Sequence, residues 1–254
     1  MISRLKNVIR KIILGYKFSS DSYIEYMRKK GAKIGENTFF FDSKNTTIDP
    51  VRLDWVEIGD NCKFASGFNL LAHDYSFSVL THTHGVILQS GGDYTKIGNN
   101  VFAGINVTVL RGVTIGDNVI IGAQSVVTKD IPSNTVYGGN PARFLMTIED
   151  YYQKKLETYN QDVVRNVKHI INLKGSVPSI EELEWYSLLF LERNKENLEE
   201  YILKIDYQGN SRKDIEKVFW STQPSFRNYD TFIEAIRESH TSEILSNNKS
   251  NARP

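Results

Sequence analysis

Three of the chain's five histidines, His73, His82 and His84, lie close together in the stretch LLAHDYSFSVLTHTHG. Imidazole nitrogens bind zinc and also transfer protons near neutral pH, so this spacing is compatible with a metal site or with a proton-transfer site. Asp74 places a carboxylate next to His73, and Cys62 is the only thiol. Which chemistry applies depends on the elements that hold these side chains.

The sequence around the histidines repeats every six residues. From residue 97 the first position of each hexad is apolar, and the same frame occurs upstream: Ile97, Ala103, Val109, Ile115, Ile121 and Val127, with Ile58, Phe64, Leu70 and irregular matches at Ile34 and Ile48. Six residues fit one short strand and a corner, so the repeat predicts a β-solenoid whose coils take about 18 residues. The first position and the residue two places before it are predicted to point inward. Asparagine, which tolerates left-handed backbone geometry, recurs three places after the first position at Asn37, Asn61, Asn100 and Asn118.

The repeat is interrupted directly after the first histidine. After Leu70 the frame does not resume until Ile97, so 21 extra residues, from about 75 to 95, are predicted to leave the solenoid as a loop. His73 stands at the base of this loop, whereas His82 and His84 lie within it. A rigid scaffold holds a proton-transfer geometry better than a loop does, which favours His73. Cys62 falls on an inward position and is expected to be a small buried side chain.

The hexads, and above all IGDNVIIGAQSVVTKDIPSNTVYGGNPAR, resemble the hexapeptide-repeat acyltransferases. LLAHD before a loop is similar to the branch of capsular and lipopolysaccharide sugar O-acetyltransferases. The resemblance implies a mainly β fold, a left-handed parallel β-helix, and a homotrimer with coenzyme A sites between subunits. It implies acetyl-CoA as cosubstrate and His73 as the general base of a direct attack on the thioester. Asp74 would orient the imidazole or the acceptor, or would only cap the start of the loop.

The same resemblance implies where acetyl-CoA is bound. Backbone amides of the Ala103–Gly104–Ile105 corner would face the thioester, and Ala123 would line the coenzyme A groove. Thr128 and Lys129 would lie near the adenine end, and Arg143 would meet a phosphate. Phe102 stands where many relatives have Trp, which would alter stacking at that point.

Composition and patterning suggest three regions. They are an N-terminal helical segment (1–33), the β-helix (34–146) and a helical C-terminal region (147–254) whose last residues are expected to be disordered. The first 17 residues are basic with an apolar stripe, so they would lie on a membrane surface or pack against the oligomer. The C-terminal helices would cover the acceptor site or pack against the trimer. A net charge of +1 does not favour nucleic acid, and one cysteine fits a reducing, cytoplasmic compartment, with peripheral membrane contact as the alternative.

The leading hypothesis is an acetyl-CoA-dependent O-acetyltransferase acting on a sugar hydroxyl of a polysaccharide, such as capsule or O-antigen, or of its precursor. One alternative is N-acetylation of an amino-sugar nucleotide, since a general base would have a similar role with an amine acceptor and with a hydroxyl acceptor. A second is a zinc lyase of the carbonic-anhydrase type on the same solenoid, although His82 and His84 lie in the loop and no metal is expected. A third is a non-catalytic scaffold.

Overall fold

The computed structural model describes residues 11–85, 92–204 and 211–238. The chain divides into two compact units, Met1–Tyr151 and Tyr152–Pro254. Across the described residues, no helix combines the length and hydropathy that crossing a bilayer requires.

The first unit is a left-handed parallel β-helix with three faces, which confirms the solenoid predicted from the repeat and the handedness implied by the family resemblance. Sheet A contains β1 (Lys33–Ile34), β4 (Val56–Ile58), β7 (Thr95–Ile97) and β10 (Thr114–Ile115). Sheet B contains β2 (Phe39–Phe40), β5 (Lys63–Phe64), β8 (Val101–Ala103), β11 (Val119–Ile121) and β13 (Thr135–Gly138), with β14 (Arg143–Thr147) added antiparallel at its edge. Sheet C contains β3 (Thr47–Ile48), β6 (Asn69–Leu70), β9 (Thr108–Val109) and β12 (Val126–Val127).

The strand register confirms the hexad frame. Ile97 pairs with Ile115, so two neighbouring coils are 18 residues apart. Ile58 pairs with Ile97, a separation of 39 residues, and the excess of 21 over a regular coil confirms the size of the insertion. The first two coils are irregular, because Ile34 pairs with Ile58 and Ile48 pairs with Leu70 at separations of 24 and 22 residues.

The core of the solenoid is built from the inward positions of the frame. All the first positions are buried, as are the positions two residues earlier from Thr95 to Ser125. Cys62 is fully buried, as predicted, and burial raises the pKa of its thiol to about 11. Asn37, Asn61, Asn100 and Asn118 have φ values of 56–58°, which confirms the left-handed corners.

The corner glycines have a different purpose from the asparagines. Gly104 does not have a positive φ. A Cβ added to it would lie 2.7 Å from the backbone nitrogen of Ala123 on the next coil. Glycine therefore allows stacked corners to approach each other, while asparagine supplies the turn.

A helix covers the first coil of the solenoid. After a short 3-10 helix (Gly15–Lys17), α1 (Ser20–Lys29) begins with Ser19, whose hydroxyl accepts a hydrogen bond from Ser22 N–H at 3.2 Å. Tyr23, Ile24 and Met27 of α1 join the solenoid core. Most of the predicted basic N-terminal helix (residues 1–10) lies outside the described residues; of its apolar stripe, Ile12 and Ile13 are described and exposed.

The prediction that the insertion is a loop without structure was wrong in its first half. A helix, α2 (Phe77–His84), follows His73 and ends at Gly85, which adopts φ 61°. None of its residues is buried, and Val, Thr and His have low helix propensity, so neither a buried stripe nor composition indicates this helix in the sequence. Residues 86–91 of the insertion lie outside the described part.

The second unit consists of helices with their own cores. Its helices are α3 (Ile148–Lys174, whose first turn belongs to unit 1), a 3-10 helix (Glu181–Leu189), α4 (Lys195–Lys204), α5 (Arg212–Ser221) and α6 (Tyr229–Glu238). One core joins α3 and α6 around Val167 and Phe232, and another joins α4 and α5 around Ile202 and Phe219. The C-terminal residues expected to be disordered lie outside the described residues.

Candidate active site

The structure places a buried carboxylate against His73. Nδ1 of the imidazole contacts Oδ2 of Asp49. Asp49 directly follows β3, and His73 follows β6, the strand that pairs with β3 through Ile48 and Leu70. Stacking of these two coils therefore brings together two side chains that lie 24 residues apart. The Asp49 side chain has no exposed surface and the His73 side chain retains 18%.

Backbone amides hold the Asp49 carboxylate in place. Its Oδ2 accepts from Ala72 N–H at 2.7 Å, and its Oδ1 accepts from Val51 N–H at 3.0 Å and Arg52 N–H at 3.1 Å. Burial acts to raise the pKa of Asp49, but the hydrogen bonds from Ala72, His73 and Val51 outweigh it and hold the pKa below its usual value. Asp49 is therefore ionised at neutral pH.

The charge on Asp49 determines the tautomer of His73. An ionised carboxylate only accepts hydrogen bonds, so Nδ1 of His73 carries the proton that it donates to Asp49. The second nitrogen, Nε2, then keeps its lone pair. This is the arrangement of a general base whose orientation is fixed by a buried acid.

Asp74 does not orient the imidazole, so that part of the sequence interpretation was wrong. Its carboxylate accepts from Ser76 N–H at 2.8 Å and Ser76 Oγ–H at 2.7 Å, which caps the start of the insertion. Arg111 Nε lies 3.9 Å from Asp74 Oδ2, the oxygen that accepts from Ser76 Oγ–H. These bonds, first that from Ser76 N–H, lower the pKa of Asp74. The Asp74 carboxylate thus faces its own loop, and the carboxylate of Asp49, which is distant in sequence, contacts the imidazole instead.

One aromatic ring contacts the imidazole. The ring of Tyr75 meets that of His73 edge-to-face, with centroids 4.6 Å apart, and is 60% exposed. On the return of the insertion, Tyr94 stacks on Trp55 at 5.0 Å. The imidazole is therefore flanked by one exposed ring, and a second aromatic pair lies where the insertion rejoins the solenoid.

The predicted thioester corner offers one amide rather than three. Gly104 N–H already donates to the Ile121 carbonyl at 2.9 Å, so it was wrongly assigned as a donor to substrate. Ala103 is fully buried, and its carbonyl accepts from Ala65 N–H. Ile105 is half-exposed, and its N–H donates to no acceptor among the described residues. The same is true of Ala123 N–H, one coil further on.

Within one chain, His73 and Ile105 lie on different edges of the solenoid. Ile105 is at the corner between sheets B and C, whereas His73 is at the corner that follows sheet C. The pairing of Val109 with Leu70 puts Arg111 level with Ala72. After the left-handed turn at Asn106, the chain crosses the face that contains β9, and the stretch from Val107 to Arg111 spans roughly 13 Å. Within one chain, the sheet C face therefore separates the two groups.

Residues 94–129 match the family described as "Bacterial transferase hexapeptide (six repeats)". The chain is 41% identical to the galactoside O-acetyltransferase of Escherichia coli (strain K12) over 48% of its own length and 58% of that enzyme, so it spans little more than half of this relative. It is 37% identical to protein CapG of Staphylococcus aureus over 56% of its own length and 80% of that protein. The chain belongs to the hexapeptide-repeat acyltransferases.

Among solved structures, this chain is similar to a maltose O-acetyltransferase from Clostridium difficile 630. The identity is 30%, the match covers 50% of this chain and 75% of that one, and the TM-score is 0.33.

The remaining predicted site residues lie on the later coils. Ala123 is exposed at the corner after β11, and Thr128 and Lys129 are exposed after β12. Ala142 N–H donates to the Val126 carbonyl at 2.8 Å, which brings β14 and its exposed first residue, Arg143, alongside β12. Thr128 and Lys129 thus follow the last strand of sheet C, two coils from β6 and His73, whereas Arg143 begins β14 at the edge of sheet B.

The histidines of the insertion are separate from the Asp49–His73 pair, which we refer to as the dyad. His82 and His84 are exposed on α2, two positions apart, and residues at this spacing do not face each other on a helix. Within residues 11–85, 92–204 and 211–238, no three His, Cys, Asp or Glu side chains are grouped as a metal site requires.

Sequence reasoning missed Asp49. The residue lies one place after a first position of the frame, Ile48, where outward or corner residues are expected. The available signal was an acidic residue in IDPV, an irregular stretch without the usual glycine. Its coil has an unusual length, so the partner of Asp49 could not be counted from the repeat.

Proposed function

We propose that this protein is an acetyl-CoA-dependent O-acetyltransferase that acetylates a sugar hydroxyl, with His73 as general base and Asp49 as the residue that orients it. The observation that supports this most directly is the buried Asp49–His73 pair at the base of the insertion. The name of one relative, a galactoside O-acetyltransferase, supports a glycoside as acceptor.

The chemistry follows from the proton positions. Nε2 of His73 takes the proton of the acceptor hydroxyl while its oxygen attacks the thioester carbonyl of acetyl-CoA. The tetrahedral oxyanion receives a hydrogen bond from the unpaired Ile105 N–H, and its collapse breaks the C–S bond. The imidazolium then returns the proton to the coenzyme A thiolate, and Asp49 stabilises the positive charge in the interval. Cys62 has no role, because it is buried and its pKa is raised to about 11.

The separation of His73 from Ile105 supports an active site shared between chains. A cyclic assembly brings the sheet C edge of one chain against the sheet B–C corner of the next, and the resemblance implies three chains. The groove between them would receive acetyl-CoA along the Ile105 and Ala123 amides. Its far end would reach Thr128, Lys129 and Arg143, whose two cations suit the phosphates of the nucleotide.

The primary test is release of coenzyme A in the presence of acetyl-CoA and a galactoside, an amino sugar or a nucleotide-linked amino sugar. We expect turnover with hydroxyl acceptors, and a fall in kcat of about 10³-fold or more in His73→Ala. His82→Ala is the matched control, because it removes an exposed imidazole of the same insertion. Wild-type turnover in His73→Ala would refute the assignment of the base, and transfer only to amines would refute O-acetylation.

The shared site has its own test. His73→Ala chains and Ile105→Pro chains, the latter lacking the amide proton, are co-expressed with different tags and purified as mixed assemblies. If each site combines His73 of one chain with Ile105 of its neighbour, mixed assemblies regain activity that neither parent has. Circular dichroism and light scattering on Ile105→Pro establish that it folds and assembles. Mixed assemblies without activity would contradict the shared site.

A further inference from the structure

Three side chains form a continuous stack beside the dyad. The guanidinium of Arg52 lies 4.1 Å from the ring centroid of Trp55. The ring of Tyr94 stacks on the ring of Trp55, with the two centroids 5.0 Å apart and the two planes 6° from parallel. We refer to Arg52, Trp55 and Tyr94 as the aromatic stack.

The aromatic stack is tied to the same backbone as the dyad. Arg52 N–H donates to Oδ1 of Asp49, the carboxylate that holds His73. On the other side, Asp93 N–H donates to the carbonyl of Ala72 at 2.9 Å. Asp93 and Ala72 are thus bonded to each other, Tyr94 directly follows Asp93, and His73 directly follows Ala72.

Gly92 shows how closely these segments approach. A Cβ at this position would lie 2.6 Å from the Ala72 carbonyl oxygen and 3.4 Å from the Trp55 ring. Its φ of 89° is also one that side chains rarely adopt. The backbone thus passes between the aromatic stack and the strand end that leads to His73, which fixes their separation.

The stack is rigid and yet open. Arg52 is held by Asp54 at 3.4 Å, and Trp55 packs against the solenoid core. Tyr94, at the end of the stack, is nevertheless 55% exposed. An immobilised ring of this size loses little conformational entropy when a ligand covers it, which favours binding.

The surroundings of Tyr94 favour a carbohydrate over a wholly apolar ligand. The face of an aromatic ring is negative, so it attracts the C–H groups that a pyranose presents on one face. The hydroxyls at the rim of such a ring need hydrogen-bonding partners. The carboxylates of Asp74 and Asp93 and the guanidinium of Arg111 lie on the segments that flank His73.

We infer that Tyr94, supported by Trp55 and Arg52, is the platform on which a sugar ring of the acceptor stacks beside His73. The inference rests on the proposed function and makes it more specific: the recognised unit is a pyranose with one open C–H face. Stacking fixes the ring so that a hydroxyl at its edge is directed at Nε2.

The test compares Tyr94→Ala and Tyr94→Phe with wild type. In steady-state kinetics with methyl β-galactoside, Tyr94→Ala is expected to raise the acceptor KM about five- to tenfold, with the acetyl-CoA KM unchanged. Tyr94→Phe keeps the ring and is expected to stay within about twofold of wild type. Trp220→Ala is the control, because it removes a half-exposed ring that packs on Phe219 in the second unit.

A second measurement does not depend on turnover. Saturation-transfer NMR detects methyl β-galactoside bound to His73→Ala, and the signal is expected to disappear in His73→Ala combined with Tyr94→Ala. Glycerol, a polyol without a pyranose face, should give no signal with either. If His73→Ala keeps full activity, the assignment of His73 as the base is refuted. The binding experiment still tests the role of Tyr94 in that case.

Three outcomes would overturn the inference. The first is an unchanged acceptor KM in Tyr94→Ala. The second is a rise in the acetyl-CoA KM instead, which would assign Tyr94 to the cosubstrate. The third is equal sugar binding with and without the Tyr94 ring.

Discussion

Replacing Asp49 with asparagine tests the link between the buried carboxylate and the base. The carboxylate accepts four hydrogen bonds: three from backbone amides at 2.7, 3.0 and 3.1 Å and one from Nδ1 of His73. Asparagine has one accepting oxygen and one donating NH₂ group. Whichever way the amide is turned, its NH₂ faces groups that are themselves donors.

The two orientations predict different but related losses. If the NH₂ group faces Val51 and Arg52, two partly buried amides lose their acceptor, at a cost of about 2–4 kcal/mol. If it faces His73, the imidazole must shift its proton to Nε2, which removes the base. We expect kcat to fall by about 10²- to 10⁴-fold, together with a lower free energy of unfolding.

Coenzyme A release gives kcat, and urea denaturation gives the free energy of unfolding. Asp74→Asn is the comparison variant, since its carboxylate caps Ser76 instead of the imidazole, and its kcat is expected to fall less than about tenfold. If Asp49→Asn matched wild type in both kcat and stability, the assigned role of Asp49 would be refuted.

The pH dependence gives an independent check on Asp49. Because its pKa is lowered in the folded state, its contribution to stability is present above the unfolded value of ~3.9 and lost as the pH falls through the folded value. The difference in unfolding free energy between wild type and Asp49→Asn should therefore persist from about pH 8 to 5 and shrink below about pH 4. A difference that instead disappeared between pH 8 and 6 would contradict the argument.

Three further outcomes are expected. Gly104→Ala should cost about 2–4 kcal/mol in urea denaturation, because the new Cβ would lie 2.7 Å from Ala123 N, whereas Gly122→Ala, with its nearest neighbour at 3.6 Å, should cost less than about 1. Asn118→Ala should lower the free energy of unfolding by about 2 kcal/mol, and Asn118→Gly should lower it less. Both variants lose the side-chain hydrogen bonds, but glycine tolerates the φ of 56°. Equal losses in the two variants would contradict a backbone effect. The Cys62 thiol, with its pKa raised to about 11, should resist alkylation at pH 8 until the protein is unfolded, and fast labelling of folded protein would show that it is not buried.

Much of the fold could be predicted because the repeat is local and periodic. Residues six places apart, such as Ile115 and Ile121, occupy equivalent positions on successive faces of the solenoid. Burial, coil length and the size of the insertion therefore follow by counting. The left-handed corners follow from the residue type, since Asn118 tolerates a geometry that β-branched residues avoid. The helix α2 could not be counted in this way, because the insertion has no repeat.

The candidate site could be predicted only in part. His73 was identified from its position at the end of an ordered hexad, and Asp74 was given a partner by adjacency. Adjacency is a poor guide at a loop base, because a carboxylate there bonds the amide two residues on, as Asp74 does with Ser76. The roles of His73, Ala123, Thr128, Lys129 and Arg143 stay predictions for the kinetic tests above.

By itself, the sequence determined that this chain is a solenoid, which side chains fill it, and which histidine stands on it. Only the tertiary structure decided that Asp49 holds that histidine, that Gly104 N–H is already bonded, and that Tyr94 lies open beside the site. The physical reason is that stacking of coils depends on their lengths. Regular coils have one length and can be counted, whereas the irregular coil that carries Asp49 finds its neighbour through packing and hydrogen bonds across 24 residues.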